Sequence, residues 1–222
     1  MKKKQLRIDG PKQTIYRKQA ERIIRNLQKR NMTGLYLDTA SEAVDEICRL
    51  ISPGSVVGLG GSETVIETGL LDALRKLDIR LLDRYRNDIT EAEVEQMREA
   101  ALSSDVFITS TNAITLDGVL VNEDGLGNRV ASLIYGPKKV IVVAGMNKTT
   151  ENIEKAISRI KMIAAPANAI RRKKSTPCSK TGVCHDATCF PPNRICNQLV
   201  ITEGSRTQNR IIVILIGEAY GF

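Results

Sequence analysis

The sequence is poor in aromatic and histidine side chains: its 222 residues contain no tryptophan and a single histidine, His185. A serine hydrolase of the Ser-His-Asp type needs a histidine base, and the one histidine lies among cysteines, so this chemistry is not predicted. No apolar run reaches the length of about 18 residues that a transmembrane helix requires, which predicts no membrane insertion. Residues 1–7 are charged and no apolar segment follows them, unlike a secretory signal. We therefore expect a cytoplasmic protein whose cysteines stay reduced or hold metal.

Two nucleotide-binding signatures are also missing. No P-loop lysine follows the glycines at 58–61, and the G-x-G-x-x-G spacing of dinucleotide-binding turns does not occur. Hydride transfer from NAD and hydrolysis of ATP are therefore poorly supported.

The positive charge of the chain is unevenly distributed. The formal net charge is +8, and much of the excess lies in two short runs, Lys2–Lys4 and Arg171–Lys174. The remainder is mixed in sign. This distribution favours anionic small ligands or an exposed loop over a dedicated nucleic-acid surface.

Strand-like and helical segments alternate along most of the chain. Helical stripes separate the predicted strands, and the first helix is predicted over Pro11–Arg30 within an N-terminal helical segment, residues 1–32. Besides the strands next to the glycine turns, the predicted strands are Gly34–Asp38, Ile79–Leu82, Asp105–Thr109, Lys139–Gly145 and Arg210–Ile216. The alternation predicts a single α/β domain over residues 1–222. We expect a three-layer sandwich with a mostly parallel Rossmann-like sheet that the last strand closes.

A hairpin interrupts this alternation. The segments Ala113–Leu116 and Val119–Val121 are separated only by Asp117-Gly118, a strong signal for a two-residue hairpin turn. We therefore predict one inserted antiparallel β-hairpin, in which Asp117 serves the turn.

The stretch Ser55–Thr64 has the form of a buried strand, a glycine turn and a helix start. The helix is predicted to continue with an apolar face from Val65 to Leu77, and Ser62 stands where an N-cap is expected. Backbone N–H groups at such a helix start can bind a phosphate or carboxylate. The same glycines would also suit a tight turn that binds nothing.

A second glycine-rich turn follows the hairpin at Asp124–Arg129. We expect the two turns to converge on one pocket at the ends of parallel strands. Asp124 is the predicted general base, although Asp before Gly also bonds its own backbone in turns. The residues expected to bind an anionic small molecule are Gly58, Gly60, Gly61, Ser62, Thr64, Asn112, Asn122, Gly125, Asn128 and Arg129.

The interval 166–204 lacks clear periodicity and contains four of the five cysteines. Cys178, Cys184, Cys189 and Cys196 are separated by five, four and six residues. Clustered thiols in a cytosolic protein suggest an iron–sulfur cluster or zinc, held in a loop inserted before the last strand. The other interpretation is that they are ordinary reduced cysteines in an ordered loop.

Four segments together resemble the LUD (lactate-utilisation) domain family. They are Gly58–Thr64, Ser110–Gly118, Val121–Arg129 and Gly217–Phe222. The resemblance implies a fold similar to that of ribose-5-phosphate isomerase, glucosamine-6-phosphate deaminase and the CoA transferases. Some members of the family belong to lactate-oxidising systems whose partner subunits carry iron–sulfur clusters.

The resemblance implies the first two of three hypotheses about function, and the basic runs suggest the third. The first is organic-acid (lactate-type) utilisation, as an enzyme or as an accessory redox subunit with electron-transfer partner proteins. The second is an isomerase, deaminase or transferase acting on a phosphorylated sugar or acyl-CoA; by similarity to the CoA transferases, Glu63 is then a candidate nucleophile. The third is a non-catalytic ligand- or nucleic-acid-binding protein. A homo-oligomer is expected in each case.

Overall fold

The computed structural model describes residues 10–222 of the chain, so the predicted basic run Lys2–Lys4 and the first part of the segment 1–32 lie outside it. The helices are α1 Pro11–Lys29, α2 Ala40–Arg49, α3 Glu63–Glu67, α4 Leu70–Leu74, α5 Glu91–Ala101, α6 Asn128–Ile134, α7 Ile153–Arg159, α8 Ala165–Arg171 and α9 Pro177–Thr181. The strands are β1 Thr33–Leu37, β2 Val56–Leu59, β3 Arg80–Leu81, β4 Val106–Thr109, β5 Ala113–Thr115, β6 Leu120–Asp124, β7 Lys139–Gly145, β8 Thr149–Thr150, β9 Gln198–Thr202 and β10 Ile211–Ile216. No helix among the described residues is both long enough and apolar enough to cross a membrane.

The main sheet has six parallel strands in the order β1-β10-β7-β4-β2-β3. The expectation that the last strand closes the sheet was wrong, because β10 lies between β1 and β7. Val213 is in register with Gly34 on one side and Val142 on the other. All six residues of β10 are buried, as is typical of an interior strand in a parallel sheet that is covered on both faces.

The two faces of this sheet bury separate cores. Ile211, Val213 and Leu215 pack on the side that carries Ala20, Ile23 and Leu27 of α1. The alternate residues of the same strand pack on the side that carries α2, α3 and α4. This period of two follows from the pleat of the strand. The predicted three-layer α/β sandwich with a mostly parallel sheet is thus confirmed.

The helix predicted after the first glycine turn is divided into two. Gly69 has a φ of +76°, a left-handed conformation that glycine adopts without steric cost. It ends α3 and starts α4, so the expectation of one continuous apolar helix from Val65 to Leu77 was wrong. The residues on either side still pack into the same core.

A second sheet of four short strands, in the order β8-β5-β6-β9, lies beside the main sheet. The predicted hairpin forms its centre, with β5 and β6 antiparallel and Gly118 at a φ of +77°. β9 pairs antiparallel with β6. The interval 166–204 is therefore more regular than its sequence suggests, because it contains most of α8, all of α9 and all of β9.

α7 and α8 are joined by a π-helical turn, Ile160–Ala164. The N–H of Ala165 bonds to the carbonyl of Ile160, five residues back, just before Pro166, which has no N–H to donate. The side chain that caps α7 is Asn152, whose oxygen accepts from the N–H of Lys155.

Candidate functional site

A cavity of about 440 Å³ lies at the carboxyl edge of the main sheet. The segments that follow β2, β4 and β7 contribute Gly61, Ser110 and Lys148 to its wall, and the tail that follows β10 contributes Phe222. Ligands of open α/β sheets bind at this edge, where the loops after neighbouring strands come together. The two predicted glycine turns meet here.

The first glycine turn is held tightly against its neighbours. A Cβ on Gly60 would lie 2.6 Å from Oγ1 of Thr109, and one on Gly61 would lie 2.7 Å from Nη2 of Arg84. The backbone N–H of Ser62 donates to the hydroxyl of Tyr85 at 3.0 Å, and the Ser62 hydroxyl accepts from Val65 as the predicted N-cap. The close contact of Gly61 brings the Arg84 guanidinium directly to this turn.

Arg129 joins the second turn to the segment after β4. Its side chain is buried, with 8% of the residue exposed. Nη1 donates to Oδ1 of Asn122 at 2.6 Å and to the carbonyl of Ser110 at 3.1 Å. Nη2 donates to Oδ1 of Asn112 at 3.1 Å and to the carbonyl of Glu123 at 2.9 Å. Most of its donors therefore bond the protein, which fixes two loops relative to one another.

Asp124 combines a turn role with a place on the cavity wall. Its Oδ1 accepts from the backbone N–H groups of Leu126 and Gly127 at 3.2 and 3.1 Å, which is the turn bonding expected of Asp before Gly. Its Oδ2 lies 3.3 Å from Nε of Arg129 but accepts no hydrogen bond among the described residues. This second oxygen is buried, and its charged neighbour is the Arg129 guanidinium.

The predicted ligand-binding residues divide into two groups. The structure brings one group to the cavity: Gly61, Ser62, Glu63, Asn112, Asp124, Gly125, Asn128 and Arg129. Gly60, Thr64 and Asn122 do not line the cavity but contact Arg129 or Lys148, which do. Gly58 lies in β2 against Ala101 and Ser104, away from the cavity wall. In the first group, Glu63 already pairs with Arg171 at 2.8 Å.

Lys148 is a residue of this site that sequence reasoning missed. It is buried, with 3% of the residue exposed, and its Nζ donates to Oγ1 of Thr64 at 2.8 Å and to Oγ of Ser110 at 2.9 Å. Burial, together with the like charges of Arg159 and Arg129, lowers the pKa of Lys148 to about 7. The sequence signal was its position three residues after the buried strand β7, at the edge where ligands bind.

Arginines make up most of the remaining charge on the wall. Arg84 is half-buried, lies 5.6 Å from the centroid of the Tyr85 ring, and has no carboxylate partner among residues 10–222. Burial lowers the pKa of Arg84, and the charges of Arg98 and Arg172 lower it further. The cationic side chains that line the cavity are Arg84, Arg98, Arg129, Lys148, Arg171, Arg172, Lys174 and Arg194.

The four cysteines of the interval 166–204 lie around a second, much smaller cavity of about 20 Å³. Its wall includes Cys178, Cys184, Cys189 and Cys196 together with His185, and all four cysteines are free thiols. Within residues 10–222, no three Cys, His, Asp or Glu side chains are arranged to hold a metal ion. The predicted metal site therefore stays a prediction.

Comparison with known proteins was made at the level of family and of fold. The family model described as the LUD domain matches residues 20–216. The 1.70 Å crystal structure of a DUF162 family protein from Deinococcus radiodurans is similar to this chain with a TM-score of 0.49 and 12% sequence identity, covering 92% of this chain and 97% of that chain. No curated protein matches the sequence. Because the family model spans most of its length, the chain belongs to the LUD domain family, which is associated with lactate utilisation.

Proposed function

We propose that this protein binds an anionic small molecule of organic-acid metabolism in the cavity at the two glycine turns. The main support is the charge on the cavity wall, where eight arginine and lysine side chains face three carboxylates, those of Glu63, Glu123 and Asp124. An excess of cations in a concave site attracts negatively charged ligands and raises their local concentration.

Half of these cations are already neutralised by carboxylates, and half are not. Glu63, Asp124, Asp186 and Glu95 lie within ion-pair distance of one cavity arginine each. Among the described residues, no carboxylate pairs with Arg84, Lys148, Arg172 or Lys174. Of these four, Lys148 is buried and Arg84 is half-buried, whereas Arg172 and Lys174 are exposed. Charge that is removed from water without a counter-ion is costly, and a bound anion would supply the counter-ion to Lys148 and Arg84.

The size of the cavity favours a ligand larger than a three-carbon acid. A volume of about 440 Å³ lies in the range of about 300–1,000 Å³ that is usual for small-molecule sites. Several unpaired cations suit a phosphate or a polycarboxylate, because guanidinium groups bind such anions through paired, charge-assisted hydrogen bonds. Asp124 is then the candidate general base, through its Oδ2.

The proposal is tested by measuring the binding of pyrophosphate with isothermal titration calorimetry. Replacement of Arg84 by methionine is expected to weaken binding at least tenfold, because one charge-assisted hydrogen bond contributes about 1.5–3 kcal/mol. The matched control is Arg86→Met: Arg86 is exposed, pairs with Asp88 and does not line the cavity. Equal affinities of the two variants, or no binding at all, would contradict the proposal.

Salt dependence separates small-anion binding from the nucleic-acid alternative. Binding of an oligonucleotide depends on many phosphate contacts and weakens steeply as salt is added. Tighter binding of a single-stranded oligonucleotide than of pyrophosphate, with a steep salt slope and no effect of Arg84→Met, would favour that alternative.

A second proposal concerns the small cysteine cavity, which we propose holds one zinc ion. Four thiols from separate turns line it, and about 20 Å³ exceeds the roughly 10–15 Å³ that one water-sized sphere occupies. That space suits a single ion better than a multi-iron cluster. Four thiolates are a common ligand set for structural zinc. The thiols would have to move closer together, since they do not converge in the described arrangement.

We expect the protein purified without oxygen to contain one zinc ion per chain by elemental analysis. The double substitution of Cys184 and Cys189 by serine is expected to abolish zinc binding, because serine is a poor zinc ligand. Cys48→Ser is the control, since Cys48 lies on α2 and outside the cavity. Iron with sulfide in place of zinc would instead support the redox interpretation, and a metal-free wild-type protein would contradict both.

A further inference from the structure

We propose that the Lys148 amine forms an imine with its ligand, which is then an aldehyde or ketone that also carries a phosphate or carboxylate. This inference rests on the proposed function, because the anionic group of the ligand would be held by the same cavity. It extends that function by assigning the covalent residue and the reactive group of the ligand.

The position of Lys148 places its amine at the wall of the cavity. The residue ends the short 3₁₀ turn Met146–Lys148, directly after β7, and lines the cavity. Both hydrogen bonds of Nζ go to hydroxyl groups, those of Thr64 and Ser110. Hydroxyl groups accept from a charged or a neutral amine, and they donate to a neutral one. The amine is therefore held in place in either protonation state.

The electrostatic surroundings favour the neutral amine. No carboxylate forms an ion pair with Lys148 among the described residues. The nearby cations Arg159 and Arg129 lower its pKa, and the charge of Glu67 opposes them without offsetting them. Both guanidinium groups are fixed, Arg159 by bonds to the carbonyl groups of Asn112 and Asn147. A lysine that is desolvated beside other cations loses its proton readily, which is how lysine becomes a nucleophile toward carbonyl carbons.

The chemical step requires no oxidant, reductant or co-reactant. The lone pair of Nζ attacks the carbonyl carbon, and the electron pair of the C=O bond moves to oxygen, giving a carbinolamine. The nitrogen pair then forms the C=N bond while the C–O bond breaks, and one water leaves with the two protons that the amine carried. The hydroxyl groups of Thr64 and Ser110, at 2.8 and 2.9 Å from Nζ, are placed to pass these protons from nitrogen to oxygen.

The experiment uses pyridoxal 5′-phosphate, which has both an aldehyde and a phosphate, with borohydride to reduce any imine to a stable amine. Peptide mass spectrometry of the full chain then locates the adduct. We expect Lys148 to be modified at least tenfold faster than the exposed Lys138 at pH 7.5, and pyrophosphate to block the modification. The rate at Lys148 is expected to level off above a pH of about 7, whereas the rate at Lys138 continues to rise.

The variant Lys148→Met separates the imine from anion binding. We expect it to bind pyrophosphate less tightly than the wild type, because one of the cavity cations is lost, and to give no adduct in the cavity. A wild-type protein that binds pyrophosphate but is not modified at Lys148 would overturn the imine and leave the anion site standing. A protein that is modified at Lys148 without protection by pyrophosphate would support the imine and contradict the anion site.

Discussion

Replacing Arg129 by methionine is expected to lower the free energy of unfolding by about 3–5 kcal/mol. The guanidinium group donates to four oxygen atoms, those of Asn122, Asn112, Ser110 and Glu123, within a site where little water can take its place. Its loss would leave these acceptors unsatisfied and the Asp124 carboxylate without its cation. Breaking a buried charged network by removing one partner is strongly destabilising.

Urea denaturation followed by circular dichroism measures this effect. Arg171→Met is the matched control. Arg171 lines the same cavity, but about a third of its side chain is exposed, and Glu63 is its carboxylate partner. A loss below about 1 kcal/mol is expected there, as for other exposed ion pairs. If both variants lost the same stability, Arg129 would not be the residue that fixes the two loops.

This result bears on how Arg129 contributes to the site. The sequence suggested a direct contact between Arg129 and the ligand, and that contact stays a prediction. The structure shows most of its hydrogen-bond donors directed to protein oxygens. A loss of ligand binding on substitution of Arg129 would therefore follow from displaced loops as well as from a lost contact. Arg84 is the better probe of the anion, because its guanidinium has no carboxylate partner among the described residues.

Local sequence signals predicted local structure well. Ser62 caps α3 as predicted, and Thr90 and Glu93, three residues apart, form a capping box at α5. The Asp117-Gly118 turn closes the hairpin, and Asp117 also pairs with Arg22 of α1. Each of these features depends on residues within a few positions of one another, so spacing alone is enough to identify them.

The features that sequence did not predict depend on distant parts of the chain. The position of β10 between β1 and β7 is set by pairing with strands that are far away in sequence. Arg84 follows β3 and Lys148 follows β7, and both reach the cavity because β2 and β4 connect these two strands in the sheet. Nothing in the short motifs around them marks them as site residues. The cysteines likewise come together around one small cavity although their spacing matches no known motif.

The free energy of unfolding of Lys148→Met is expected to exceed that of the wild type by an amount that grows as the pH is lowered from about 10 to about 7. The folded-state pKa of Lys148 is about 7, below the ordinary value of 10.5. Between these values the unfolded chain binds a proton that the folded chain does not. Lowering the pH therefore stabilises the unfolded state, by about 1.4 kcal/mol for each pH unit. Below pH 7 the Lys148 amine is protonated in both the folded and the unfolded state, so its unfavourable contribution to the free energy of unfolding no longer increases.

The charged groups that act on Lys148 come from three helices. Arg159 on α7 and Arg129 on α6 add to the penalty, whereas Glu67 on α3 opposes it. Methionine retains the apolar stem of the side chain without the charge. The free energy of unfolding of the variant at pH 7 is therefore expected to exceed that of the wild type by several kcal/mol, at about 1.4 kcal/mol for each pH unit of the pKa shift. Lys138→Met is the control: Lys138 is exposed, so its substitution is expected to give no such gain in the free energy of unfolding at pH 7. Parallel stability curves for wild type and Lys148→Met across pH 7–10 would show that the amine is not desolvated.

A bound anion should reverse this penalty, which connects stability to function. An anion beside Nζ favours the charged amine and raises the pKa of Lys148. Pyrophosphate itself gains negative charge between pH 7 and pH 10, so Lys148→Met, which keeps the other cavity cations, is the reference. The stabilisation of the wild type by pyrophosphate, measured relative to this variant, is expected to be larger at pH 7 than at pH 10. Lys148 would then destabilise the protein without ligand, and a bound anion would offset that cost. Such behaviour is expected of a residue that is retained for function rather than for stability.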